Sequence, residues 1–212
     1  MKRNIAWEKY GENGRKDVFE FCEGYRRFIS RCKTERECAE EICQKAEGMG
    51  YKNLEEIIRA GKNIKAGDKV YAVNMKKTAA FFHIGQDSFE DGMNILGAHI
   101  DSPRLDLKQN PLYEDENLAF MDTHYYGGVK KYQWVARPMA LHGVVIKKDG
   151  TEITVNIGES EEDPVIGVSD LLIHLSQNQL QKKGDKVVEG EDLNLLVGSI
   201  PVKGDETEAV KK

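Results

Sequence analysis

The sequence predicts an α/β layer architecture followed by a mostly antiparallel β half, on three observations. Amphipathic helical spacing occupies the first sixty residues, and strand signals follow it. A short apolar run, Ile95 to Ile100, then ends on a polar motif at Ser102-Pro103, as a buried strand delivering a site at its carboxyl end reads. Beyond residue 107 the texture changes to short strands, with Asp149-Gly150 as the strongest hairpin signal.

Val18, Phe21, Cys22, Tyr25, Phe28, Ile29 and Cys32 recur at helical spacing, which predicts a helix over residues 15 to 32. Thr34-Glu-Arg-Glu37 has capping-box spacing and opens a second helix with Cys38, Ile42, Cys43 and Ala46 inward, ended at Gly48 or Gly50. Asn53 repeats the cap for a short third helix that Gly61 closes. Residues 69–74 and 78–84 read as strands around a turn at Met75-Lys76-Lys77, with His83 a structural histidine at the end of the second. Gln86 to Asp91 is a polar loop.

In the second half, residues 108–117 read as a polar loop. Strands are expected at 118–121, 134–139, 141–146, 152–157 and 193–198. Ser169 or Asp170 is expected to cap a helix with Val168, Leu171, Leu172, Leu175 and Leu180 inward and His174 half-buried beside them. His124 and His142 read as structural hydrogen-bonders. The run from Gly204 resembles a helix that has only begun, so a partial chain is the expectation.

With 212 residues, 40% hydrophobic and 32% charged, the chain is long enough for one large or two small cores. A net charge of −5 carries no electrostatic footprint for nucleic acid. Met1-Lys-Arg-Asn4 lacks an apolar stretch behind it, and no run reaches the roughly 20 apolar residues that span a bilayer. Neither a secretory signal nor a membrane span is expected, and a cytoplasmic setting is. Cys22, Cys32, Cys38 and Cys43 show no C-x-x-C spacing, so they read as reduced thiols at helix core positions.

His99 and Asp101 are the chemical centre of the reading. On the residues alone, two accounts stay open: a hydrogen-bonded core histidine followed by a turn, or a metal ligand with a carboxylate two residues on that orients it. Gly97-Ala-His-Ile-Asp-Ser-Pro-Arg-Leu-Asp-Leu107 together with Thr123-His-Tyr-Tyr-Gly-Gly128, Lys131-Tyr-Gln-Trp134, Arg137-Pro-Met-Ala-Leu-His-Gly-Val-Val145 and Val168-Ser-Asp-Leu-Leu-Ile-His-Leu175 resembles the M18 aminopeptidases, in family order across most of the chain. The resemblance implies a fragment of a phosphorylase/hydrolase-like zinc-peptidase α/β domain over 1–107, plus an inserted β-rich dimerisation-type domain over 108–212. It implies a zinc-dependent aminopeptidase with peptide substrates and a homo-oligomeric assembly. His99 would be a zinc ligand of a two-metal site, other divalent ions also being acceptable, and Asp101 the aspartate that orients the site. The other carboxylate and histidine ligands and the glutamate base are expected in family segments outside these residues, so the chain alone is expected to be inactive. The position that some members fill with a histidine donated by a neighbouring subunit aligns with Asp170, and no residue is assigned to that role. The alternative is a non-catalytic assembly module that uses the β-rich half to oligomerise.

Overall fold

The computed structural model describes residues 5–201 and is mixed α/β, divided into two compact units at Ser102/Pro103. The division lies ahead of the change of texture near residue 107.

In the first unit, helix α1 (Glu12–Arg31) and helix α2 (Glu35–Gly48) are separated by the break at Cys32 to Thr34. The break is enforced chemically. The Thr34 hydroxyl accepts the Glu37 N–H at 3.4 Å, while the Glu37 carboxylate accepts the Thr34 N–H at 2.9 Å. Two otherwise orphaned amides are satisfied reciprocally, a contribution of about 1 kcal/mol. At the other end Gly50 takes φ +86, and the N–H groups of Gly50 and Tyr51 return to the carbonyls of Glu47 and Ala46. That pair of bonds closes α2 as a left-handed glycine cap does. Asn53 caps α3 (Leu54–Arg59) through its side-chain oxygen, 2.9 Å from the Glu55 amide.

A three-stranded sheet forms from β1 (Lys52–Asn53), β2 (Lys69–Asn74) and β3 (Thr78–His83), in that order. β1 runs parallel to β2, and β3 pairs antiparallel from Lys69↔His83 to Asn74↔Thr78. The turn between β2 and β3 holds Met75 and Lys76 at positive φ, with Lys77 N–H donating to the Asn74 carbonyl. Cys38, Ala39, Cys43 and Ala46 on α2, with Val70 and Tyr71 on β2, are the buried residues of this unit among those described. Tyr71 stacks on Phe81 and bonds the Glu47 carboxylate; that bond and burial push its hydroxyl up to about 12.

Helix α1 differs from expectation in its burial. Its apolar stripe forms, but Phe21, Tyr25 and Ile29 are 80%, 61% and 46% exposed, and no residue of the helix is buried. A second difference is the run Ile95 to Ile100, expected as a buried strand. It joins no ladder among the described residues, and Ile95 and Leu96 are 80% and 99% exposed. A strand apolar on consecutive positions needs cover on both faces, and the three-stranded sheet of this unit does not extend to it.

The second unit is built on a five-stranded sheet of order β4-β5-β10-β9-β6, where β4 is Arg104–Asp115, β5 Leu118–Tyr126, β6 Pro138–Met139, β9 Ile166–Gly167 and β10 Leu195–Gly198. The hairpin β7 (Leu141–Ile146) and β8 (Glu152–Ile157) stands as a separate two-stranded sheet. Its turn is the expected one: Gly150 sits at φ +85 and the Asp149 carboxylate accepts the Thr151 N–H at 2.9 Å. Val168, Val188, Leu193 and Leu195 form the core, with Leu105, Met121, Trp134 and Met139 packed against it.

Residues 108–115, expected as a loop, lie inside β4. This strand is at the sheet edge, where polar side chains and a proline are tolerated because one row of backbone groups faces solvent. Pro111 and Asn110, at φ 52, mark a register shift between Leu107 and Leu112 that broke the alternation in the sequence. The helix expected after Val168 reduces to α4 (Gln177–Leu180). Val168 is buried in a bridge to Val135, but Leu171, Leu172, Ile173 and Leu175 are exposed and His174 sits with them in a turn, not on a half-buried helical face. The expected strand at 134–139 keeps only Pro138–Met139. The run from Gly204 lies outside the described residues.

Candidate metal centre

His99 lies in the extended segment between Gly92, a turn glycine at φ 105, and Pro103. The segment joins no ladder among the described residues, yet it still brings His99 and Asp101 together. Nδ1 of His99 is 2.9 Å from the Asp101 carbonyl oxygen and 3.2 Å from Asp101 Oδ1. Both oxygens accept, so Nδ1 carries a proton in this contact, and in the neutral ring Nε2 then keeps its lone pair. That is the tautomer a metal needs when it binds through Nε2, and the carboxylate–imidazole contact fixes the orientation of the ring. The imidazole is 84% exposed and the Asp101 side chain 37%.

The donor set fits one corner of a zinc site: an imidazole nitrogen backed by a carboxylate, on an open surface. Among the described residues, no group of three or more His, Cys, Asp or Glu side chains is placed to hold a metal ion. The other histidines have different surroundings. His142 is nearly buried and bonds the Glu159 carboxylate at 2.9 Å. His124 is exposed and stacks on Tyr125 with centroids 5.5 Å apart. His83 ends β3 in solvent. Asp170 accepts from the Leu171 amide at 2.8 Å and the Gln179 side-chain amide at 3.0 Å.

The β4–β5 ladder of the second unit joins two sequence motifs whose meeting the linear sequence did not signal. Arg104 is paired with Tyr126 and Asp106 with His124. The Arg104 guanidinium lies 4.3 Å from the Tyr126 ring centroid, and its Nε donates to Asp106 at 2.7 Å. At the end of β5, Gly127 takes φ +76, so a side chain there would be strained by the backbone, although Pro103 beside it would meet a Cβ only at ordinary van der Waals distance. The pairing follows from a register that the turn at Glu116-Asn117 starts and that the irregularity between Leu107 and Leu112 then shifts, which the linear sequence does not disclose.

The cysteines are free thiols. Burial pushes Cys32 up to about 11 and raises Cys38 and Cys43 as well, which makes them poor nucleophiles and poor ligands at neutral pH.

Comparison with known proteins gives a consistent result. The family model described as aminopeptidase I zinc metalloprotease (M18) matches residues 28–212. A protein of Clostridium acetobutylicum named "Probable M18 family aminopeptidase 1" is 58% identical over 207 residues, covering 97% of this chain and 44% of its own length. The crystal structure of an M18-family aminopeptidase from Thermotoga maritima superposes with TM-score 0.90 at 42% identity, covering 100% of this chain and 45% of that one. The crystal structure of aminopeptidase I from Clostridium acetobutylicum gives TM-score 0.85 at 54% identity, covering 100% of this chain and 47% of that one. The chain therefore spans about half the length of the relatives it matches, and corresponds to their amino-terminal portion.

Proposed function

The chain belongs to the aminopeptidase I zinc metalloprotease (M18) family, and on that premise we propose that it is the amino-terminal part of a zinc-dependent aminopeptidase that removes N-terminal residues from peptides. The observation that carries the reading to particular residues is the His99–Asp101 contact. In it, His99 presents Nε2 as one nitrogen ligand, and Asp101 holds the ring in the tautomer and orientation that binding needs. Zinc, when bound, supplies Lewis-acid polarisation of the scissile carbonyl and acidifies water for attack. This chain's own contribution is to position one ligand on an extended segment and to keep its proton on the nitrogen facing Asp101. The remaining donors of a two-metal site and the general base are assigned to the portion of the family fold that these residues do not span.

Self-association belongs to the same reading, supported by the exposed apolar run Leu171, Leu172, Ile173 and Leu175 in the second unit. Light scattering of the purified protein is expected to give a mass above that of one chain. A monomer at all accessible concentrations would remove this part of the proposal.

The test of function compares this chain with the same sequence continued to the full length of its relatives. Both are assayed on aminoacyl and dipeptide substrates with zinc, cobalt or manganese after chelation. Metal-restored release of N-terminal residues is expected from the longer form, with a loss of about a hundredfold in the His99→Ala variant, the scale at which metal-site residues act. Activity that survives chelation, or is unchanged by His99→Ala, would sink it.

A further inference from the structure

The first unit carries a cleft of about 490 Å³, lined by the turn that closes α2, by β1 and α3, and by residues 62–70 at the start of β2. That size lies in the ~300–1,000 Å³ range of small-ligand sites. Its apolar lining is Val70, which is buried, with Ile57 and Met49. The walls are tied by bonds made within the unit. The Lys69 ammonium donates to the Met49 carbonyl at 3.2 Å, and the Gly67 N–H donates to the Ile84 carbonyl at 2.8 Å. The Asp68 carboxylate accepts the Lys65 N–H at 2.9 Å. Asp68 and Lys69 are thereby engaged. Lys52, Lys62 and Glu56 line the same cleft but are exposed, and they make no hydrogen bond or ion pair among the described residues.

Two ammonium groups and one carboxylate therefore share an apolar-lined cleft without neutralising one another. The complementary ligand is small, carries two carboxylates and one ammonium, and joins them by a short aliphatic frame. A simple anion would leave Glu56 facing like charge, and a simple cation would face two lysines. We propose that this cleft binds a free acidic α-amino acid, with its carboxylates toward Lys52 and Lys62, its ammonium toward Glu56 and its methylenes against Ile57 and Val70. The few polar groups set the orientation of the ligand, and the apolar lining adds burial of its carbon frame. The inference stands on this unit alone and does not depend on the zinc assignment.

The test titrates the chain with L-glutamate and follows backbone amide shifts by NMR. Glutarate, which lacks the ammonium, and inorganic phosphate serve as comparators. Saturable shifts are expected at residues 49–53 and 62–70, with a Kd of about 1 mM or tighter for L-glutamate. Exposed ion contacts are individually modest, so Lys52→Gln and Lys62→Gln are each expected to weaken binding about threefold, and about tenfold together. Glu56→Gln is expected to weaken L-glutamate about threefold and to leave glutarate no weaker. All three side chains are exposed, so these variants should melt with the parent. Several results would overturn the proposal: no saturable shift, shifts centred away from the cleft, or unchanged affinity in the double lysine variant. Glutarate or phosphate binding as tightly as L-glutamate would reduce the cleft to a simple anion site and sink it as well. So would an equal loss of L-glutamate and glutarate in Glu56→Gln.

Discussion

The buried hydroxyl of Thr123 offers a quantitative test of how the second unit is held together. Thr123 is 1% exposed, its Oγ donates to the Leu193 carbonyl at 2.6 Å, and its amide donates to Asn194 Oδ1 at 3.1 Å. Leu193 has no exposed surface and sits in the core with Val168, Val188 and Leu195. Thr123→Val keeps the shape and the amide bond but leaves a buried carbonyl without its donor, at a cost of about 1–3 kcal/mol. Thr123→Ser keeps the donor and deletes one methyl, at about 1 kcal/mol. Trp134 packs against this core and the only other tryptophan, Trp7, lies in the first unit. In a Trp7→Phe background, Trp emission therefore reports the second unit during urea unfolding. With an m-value of about 2 kcal/mol/M, Thr123→Val should lower the midpoint by about 0.5–1.5 M. A Thr123→Val midpoint within about 0.2 M of the parent, with unchanged m, would refute the claim that this hydrogen bond pins β5 to the core, since it would match the effect of an ordinary surface change.

Three further outcomes follow from the same kind of accounting. Thr34→Ala removes one arm of the capping box and should destabilise the first unit by about 1 kcal/mol, with Thr34→Ser recovering most of it; equal stability of Ala and Ser in thermal melts would count against the cap. At neutral pH a small alkylating reagent should label Cys22, which is exposed, well before Cys32, Cys38 and Cys43, whose thiols burial holds protonated; mass spectrometry showing uniform labelling would contradict this. The Asp163 carboxylate accepts three backbone N–H groups, from Gly158, Glu159 and Ser160, and those bonds lower its pKa. The contribution is therefore fully present above the unfolded carboxylate value near about 4 and is lost as pH falls through the depressed folded value. Amide shifts of Gly158 and Ser160 should titrate in that acidic window and become flat in Asp163→Asn. Titration at higher pH, or its persistence in the variant, would show the loop is not held this way.

What the sequence could disclose depended on how local the determining interaction is. The Thr34–Glu37 box, the Gly50 cap, the Asn53 cap and the Asp149-Gly150 turn each involve residues within a few positions of one another, and each was readable. The edge strand β4 was not, because Pro111 and the left-handed Asn110 interrupt its alternation and an edge tolerates the polar residues that imitate a loop. The supposed helix after Val168 had apolar residues at helical spacing, but the segment finds no surface in this unit to bury them against, so propensity alone did not make the helix. The apolar run before His99 reads as a buried strand, yet among the described residues it joins no ladder and Ile95 and Leu96 stay exposed, because an apolar pattern does not disclose which surface would cover it. For the candidate centre, the i, i+2 relation of His99 and Asp101 was legible, and the contact exists without the ladder that had been expected to create it. The meeting of Arg104 with Tyr126 needed the register of a hairpin and was out of reach.

The central claim is that His99 gives one nitrogen to a zinc ion. Zinc-edge X-ray absorption on the full-length form, loaded with one metal equivalent at a time, counts imidazole ligands directly. The His99→Ala protein is expected to lose one imidazole from the zinc shell relative to the unsubstituted protein. An identical imidazole count in the two spectra would contradict it.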